Sequence, residues 1–486
     1  MKNNKYKKIL MVIIIILIPL SILGLSMSIY NILVWQKDNN KTREETISKK
    51  LTYAGFDNYI YPIQHGIISK AEIDALKENS KGKNVLTQAE AISDVDLLFR
   101  AYKYAYGAYG YFGEENFNNS ENNIKEKLSK VSTITRKELE KLLFDNLSWV
   151  ADAHFVVAGD HVIWQHDDLV YQYYYTNTKF NKDSQGYYTV IDNTKWYYDS
   201  CSSTGVRVLP TLRTDGHIEY SPVRFCVLSE YEKSGTLNLI NGTQKKSITV
   251  SWTPAKKMPG DKQVYTFNRV DDFVYVTNRR LHDAPEDEMT AFSKTGLQAK
   301  NANIIVVDIR GHGGGNSTYA TDWIKNAFGV QPHMKRHQIR KETPLGNFGN
   351  VTYGSEKIRK IYDNGTFIHQ DALVVVLVDA GVGSTGESFL NELKTMSNVI
   401  VVGTNSIGCE CFGNVSDITL PNSGIYISFG SDLRAWDDNC TNIEGRGFEP
   451  DVWCDPITAL TAVKNMLIKN NLMDSSTVKE LFGTHK

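Results

Sequence analysis

The chain has 486 residues, of which 41% are hydrophobic and 22% charged, with a formal net charge of −1 at pH 7. That length exceeds one ordinary domain, and that apolar share is enough to bury a large core. The near-zero charge argues against a strongly basic nucleic-acid binder, though not against a local patch, and no internal repeat or long low-complexity tract interrupts the chain.

Residues 1–8 (MKNNKYKK) form a short basic tail, and residues 9–35 carry no charge. As a helix, the uncharged stretch spans roughly 40 Å, enough to cross a bilayer with tilt. It is longer than the apolar run of a cleaved signal peptide, so an uncleaved transmembrane anchor is expected, although small residues in SILGLSMS leave cleavage open. The basic tail places the N-terminus in the cytoplasm and everything after the anchor outside, at the cell membrane in single-pass form. Residues 36–84 are polar and rich in Lys, Asn and Glu, and read as a stalk.

Residues 85–154 read as a helical domain. Thr135-Arg136-Lys137-Glu138 is a capping box. Leu139, Leu142, Leu143, Leu147 and Val150 follow at helical spacing, so the helix should run to about Val150 and deliver ADAHF, with His154, to a turn. The Tyr-rich stretch 102–113 suits core packing, or the lining of a peptide groove.

Residues 155–295 change character. Short β-branched and aromatic runs (FVVAG, VYQYYYT, GYYTVI, TVSW, QVYTF, FVYVT) alternate with turn sequences such as DSQG and NGT, giving a β-rich domain of unspecified topology. No carboxylate-binding loop of the PDZ type is recognisable there.

Residues 296–470 read as α/β. IIVVDI, ALVVVLV and VIVVG are near-continuous apolar runs of the kind buried in parallel sheets, and helices are expected at about 318–328 and 384–396 between them. Ligands in such sheets bind at the carboxyl ends of the strands, where both unusual glycine-rich turns fall, 311–315 and 381–386. An amphipathic helix, ITALTAVKNMLIK, precedes a C-terminal tail at 471–486.

Six cysteines are present: Cys201, Cys226, Cys409, Cys411, Cys440 and Cys454. An even number outside the cell permits disulfides, but spacing fixes no pairing. No pair of cysteines has zinc-site spacing, and neither a metal nor a cofactor is expected.

The turn GVGSTGE raises a choice for Ser384. On local sequence alone, capping the following helix is the commoner use of a serine there. The alternative is a nucleophile beside the unpaired amides at a helix N-terminus, where an oxyanion is stabilised and where glycines let a substrate approach. GVGSTGE is not the GxSxG elbow of the α/β-hydrolases. The other turn, DIRGHGGGN, lacks the phosphate-loop pattern, so a nucleotide-binding reading is weak.

Taken in order, IIVVDIRGHGGGN, the segment from ALVVVLV to VIVVG and IEGRGFEPDV resemble the core of the C-terminal processing (tail-specific) serine peptidases and their tricorn-core relatives. WVADAHF resembles the His-bearing segment of the lysine-free branch. The resemblance implies a parallel-sheet catalytic core of the ClpP/crotonase-like type and makes Ser384 a nucleophile, three residues before Glu387. It also shows one break: the lysine that activates the serine in processing peptidases aligns with Cys409. A Ser–Lys dyad is therefore not expected, and the tricorn-like pattern implies His154 as base and Glu444 as acid, with Asp451 or Glu449 as alternatives. Gly314 and Thr385 would supply the oxyanion amides, supported by Gly383, Glu387, Asp308 and Arg310. The implied function is a serine endopeptidase acting on proteins or peptides, anchored in the lipid bilayer through 9–35 and without nucleic-acid partners. The missing lysine keeps a catalytically inactive, peptide-binding relative as the alternative.

Overall fold

A computed structural model describes residues 53–259, 263–348, 351–436 and 443–482. The expected anchor at 9–35 and Cys440 lie outside the described residues. Among the described residues no helix is long and apolar enough to cross a membrane.

The centre is a ten-stranded sheet. Its strands run in the order Thr253–Pro254, Tyr171–Tyr175, Ile218–Val227, Val206–Leu212, Val452–Trp453, Val399–Gly403, Leu373–Val378, Ile304–Asp308, Phe273–Asn278 and Tyr265–Val270. From Val206–Leu212 to Phe273–Asn278 every neighbouring pair is parallel, and the outer pairs are antiparallel. The three apolar runs expected to form parallel strands are adjacent, with Ile304 opposite Leu373 and Val374 opposite Val399.

Their lack of alternation follows from burial on both faces. Ile305, Val307, Val374, Val376 and Val378 pack with Phe292, Trp323, Phe389 and Leu390 from the helices Glu286–Ala299, Ser317–Phe328 and Thr385–Lys394. Val306, Val375 and Leu377 point the other way, onto Val463 and Leu467 of the helix Ala459–Lys469. Val478, Leu481 and Phe482 of the last helix, Ser475–Phe482, share that second cluster, so the expected tail is folded onto the sheet at least to Phe482.

The β-rich stretch divides. Tyr171–Tyr175, Val206–Leu212 and Ile218–Val227 extend the central sheet, while residues 181–201 and 234–251 supply the strands of a separate five-stranded antiparallel sheet. Cys201, Cys226, Cys409, Cys411 and Cys454 are all free thiols.

The helical part carries three capping boxes, at Ser69, Thr87 and Thr135. The helix begun by Thr135 is Arg136–Leu147, close to its expected end. The segment expected as a stalk joins this body from Tyr53 onward: it contains the helix Lys70–Lys77 and buries Phe56, Ile68, Ile73 and Leu76. Tyr102, Tyr104, Tyr106, Tyr109 and Tyr111 are core residues, sharing a cluster with Phe412, Ile427, Phe429 and Leu433 from the C-terminal half. That shared core carries the end of the helical part, and hence His154, to the carboxyl ends of the parallel strands.

Candidate active site

Ser384 sits where Leu373–Val378 turns into the helix Thr385–Lys394, at the N-cap position, but its side chain makes no capping hydrogen bond. Its backbone has φ 50° and ψ −119°, outside the regions open to a non-glycine residue without strain. Such a conformation costs on the order of 1–3 kcal/mol and persists only where the surroundings impose it. Here they do: Gly386 N–H donates to Gly383 O, Glu387 N–H donates to Ser384 O, and Gly383 N–H donates to His312 O.

His154 arrives from the turn after the helical part. Val156–Val157 pairs with Tyr426–Gly430, which fixes the turn from one side. Asp152 Oδ1 accepts the His154 amide at 2.6 Å while its Oδ2 accepts the Tyr106 hydroxyl at 2.7 Å. The Ala153 amide donates to Glu444 Oε2 at 3.0 Å. The outcome is a 3.2 Å contact between His154 Nε2 and Ser384 Oγ. Cys409 Sγ lies 3.3 Å from the same ring nitrogen and 3.5 Å from Nδ1.

Glu444 is buried beside this turn. Besides Ala153, it accepts the amides of Glu410 at 2.9 Å and Cys411 at 2.6 Å, both through Oε1. It therefore clamps the two main-chain segments that flank the imidazole. Of the other acids weighed for this place, Glu449 pairs with Arg207 and Arg446, and Asp451 accepts the Val401 amide at 2.8 Å.

Electrostatics in the site are set by burial. Burial lowers His154 to about 4, helped by the charge of Arg434 and by His161 and opposed by a hydrogen bond with the Phe412 backbone. The imidazole is thus neutral near pH 7, as acceptance of a proton requires. Burial also raises Asp152 to about 7, against the hydrogen bonds from Tyr106 and the His154 amide, and raises Glu444. Cys409 is pushed well above the usual thiol range, so it is neither a thiolate nor a base.

Two turns meet beneath the serine. Asp379 Oδ1 accepts the amides of Gly311 at 2.8 Å and Gly381 at 3.0 Å, tying one turn to the other. Gly314 is packed against Ser384, since a Cβ there would stand 2.9 Å from Ser384 Cβ. Its amide donates to His312 Nδ1 at 3.1 Å. His312 is wholly buried and held neutral, lowered by burial to about 3. The Thr385 amide, first of the helix Thr385–Lys394, has no acceptor among the described residues.

The residues expected to support the site lie around these turns. Asp308 is fully buried between Arg310 and Arg279, with Arg310 Nε at 2.9 Å and Arg279 Nη2 at 3.0 Å. Two guanidinium groups outweigh its desolvation and hold its carboxyl well below the usual range. Glu387 accepts the Ser406 hydroxyl at 2.6 Å and the amides of Gly408 at 2.9 Å and Cys409 at 2.7 Å, which fixes the loop holding Cys409. Burial nevertheless raises its carboxyl to about 8. The clamps by Asp379 and Arg279 had no advance signal beyond an acid ending a strand and a cation distant in sequence.

Residues 271–453 match peptidase family S41. No curated protein matches the chain. Among solved structures, mature CPAF is 14% identical, with 82% of this chain and 99% of that one covered and a TM-score of 0.39. The photosystem II D1 C-terminal processing protease is 14% identical, with 76% and 93% covered and a TM-score of 0.35. The tricorn protease is 14% identical, with 82% of this chain and 37% of that one covered and a TM-score of 0.38. The family likeness is thus carried by residues 271–453, which resemble the tail-specific serine peptidases of family S41.

Proposed function

We propose that the protein hydrolyses peptide bonds with Ser384 as nucleophile and His154 as general base. The observation that carries this reading is the 3.2 Å contact between a neutral imidazole nitrogen and a strained serine hydroxyl that caps nothing. His154 takes the Ser384 proton as Oγ attacks the carbonyl carbon, then returns it to the leaving amine. The Thr385 amide binds the oxyanion. Gly314 joins it once its amide turns from His312, which the absence of a Cβ at position 314 permits.

Glu444 is the acid of this triad in an indirect sense. It accepts main-chain amides on both sides of His154, so it sets where the ring stands rather than which tautomer it adopts. Asp152 shares the task through the His154 amide. The dyad alternative has no chemical basis at Cys409, whose neutral thiol cannot replace an amine. A ClpP/crotonase-like descent for the core and an extracytoplasmic location behind an anchor at 9–35 complete the proposal. The latter rests on the uncharged stretch and its basic flank.

Labelling with a fluorophosphonate probe tests the mechanism. Wild-type protein is expected to label at Ser384, and Ser384→Ala and His154→Ala are expected to lose the label. Peptide cleavage that survives Ser384→Ala defeats the proposal, and a wild-type protein that neither labels nor cleaves is the peptide-binding relative instead.

A further inference from the structure

A cavity of about 150 Å³ opens beside the nucleophile helix, lined by Ser317, Met334, Arg336, Ser388, Asn391 and Trp436 among others. Ser388 and Asn391 follow Ser384 by one and two helical turns, on the same face. Ser317 begins the helix that follows the Gly314 turn. The cavity thus lies beside both elements that flank the serine, and its volume suits one side chain rather than a cofactor.

Two of its polar groups have nothing to bind. Asn391 is 1% exposed, and neither its amide nitrogen nor its carbonyl oxygen has a partner. Buried carboxamides are almost always satisfied, so an empty one facing a cavity points to a ligand. The Arg336 guanidinium rests on the Trp436 ring, 5.8 Å from its centroid, with its buried Nε unpaired. Carboxylates stand near it, but each is engaged elsewhere. Glu410 holds Arg434 at 3.0 Å, and Asp432 holds Arg434 at 2.9 Å and Arg340 at 2.9 Å. Asp363 accepts the Gly365 amide at 2.9 Å, and Glu392 accepts Gln331 Nε2 at 3.0 Å.

We propose that this cavity recognises a carboxylate of the substrate, held by the Arg336 fork and the Asn391 amide with Trp436 and Met334 against its aliphatic stem. A planar guanidinium fixed on an aromatic face pairs with a carboxylate through two parallel N–H bonds, whereas an amide offers it one acceptor. The carboxylate is that of an acidic side chain of the substrate, whose stem Trp436 and Met334 would cover. This specificity rests on the serine peptidase reading above.

The test uses two pairs of quenched peptides: one pair differs by an internal Glu or Gln, the other by a free or amidated C-terminus. The full chain is expected to favour the internal Glu peptide over its Gln form by about tenfold or more in kcat/KM, and a preference confined to the free C-terminus overturns the inference. Arg336→Gln and Asn391→Leu are expected to bring that ratio to about one. The ratio is read within each variant, so a general loss of activity does not mimic the effect. Equal turnover of acid and amide forms by the wild type, or an undiminished ratio in Arg336→Gln, overturns the inference. If no peptide is cleaved, calorimetry of Ser384→Ala with the same acid and amide peptides decides: equal affinities overturn the inference. Failure of Ser384 to react with the fluorophosphonate overturns the peptidase reading alone.

Discussion

His154 Nε2 and Ser384 Oγ stand 3.2 Å apart across 230 positions of the chain. Nothing local joins them. The imidazole is carried by a helical body whose aromatic core is shared with residues 412–435, and the hydroxyl is carried by a buried parallel strand. Their meeting therefore reports on the packing of the whole molecule, and its chemistry is governed by the burial that packing imposes.

The first prediction is a pH profile. His154 accepts a proton only while neutral, and burial places its protonation at about 4 rather than the ordinary 6.5. The acid limb of kcat/KM is expected near pH 4, with activity nearly level from about pH 5 to 7. The sign follows directly: a lowered imidazole pKa extends activity towards acid. A limb near 6.5 in the free enzyme would mean that the working imidazole is hydrated, contrary to its burial.

Much of the α/β core was legible because buried parallel strands leave an unbroken apolar run, and IIVVDI, ALVVVLV and VIVVG have no other economical use. Ser384 was only half legible. A helix cap and a nucleophile share the same local sequence, and what sets Ser384 apart from an ordinary cap, a φ of 50° with no capping bond, is imposed by the meeting of two turns. The division of the β-rich stretch was not legible at all. Tyr171–Tyr175 and Gly186–Ile191 are both tyrosine-bearing strand sequences, and only their partners assign one to the central sheet and the other to the smaller one. Residues 53–84 looked like a stalk because their polar content conceals four well-spaced buried anchors, Phe56, Ile68, Ile73 and Leu76. Glu444 stood out by its motif, but motif spacing could not reveal that it grips main-chain amides.

Cys409 gives the second prediction. Its thiol touches both nitrogens of His154, yet it is neutral and its amide, rather than its sulfur, is what Glu387 holds. A buried neutral thiol behaves as a small apolar group, so Cys409→Ala should retain kcat/KM within about tenfold of wild type. Steady-state kinetics on any cleaved peptide decides. A collapse of activity as deep as that of His154→Ala would give the sulfur a chemical role.

Glu444 yields the third. Glu444→Ala strips the acceptor from three buried amides, those of Ala153, Glu410 and Cys411. Stability should fall on the order of 3 kcal/mol, seen as a lower melting temperature. Displacement of the imidazole by even a fraction of an ångström should lower kcat by about 10- to 100-fold with a smaller change in KM. Normal kcat in a destabilised variant would confine Glu444 to holding the fold together.

Gly314 supplies the fourth. At φ +122° it occupies backbone space that L side chains avoid, and an added Cβ would stand 2.9 Å from Ser384 Cβ and 3.4 Å from Oγ. Gly314→Ala must therefore either push the nucleophile from His154 or move the glycine turn off the helix that carries Ser384. In both cases the amide at 314 loses its approach to the oxyanion. Loss of one such donor costs about 3 kcal/mol of transition-state stabilisation, so kcat should fall at least about 100-fold. Gly329→Ala is the matched control, because that glycine also has positive φ, at +79°, but a Cβ there meets nothing within 4 Å. Both variants carry backbone strain, so their melting temperatures should fall together while their kcat values diverge. Equal kcat in the two would remove position 314 from the oxyanion site and leave the Thr385 amide as its donor.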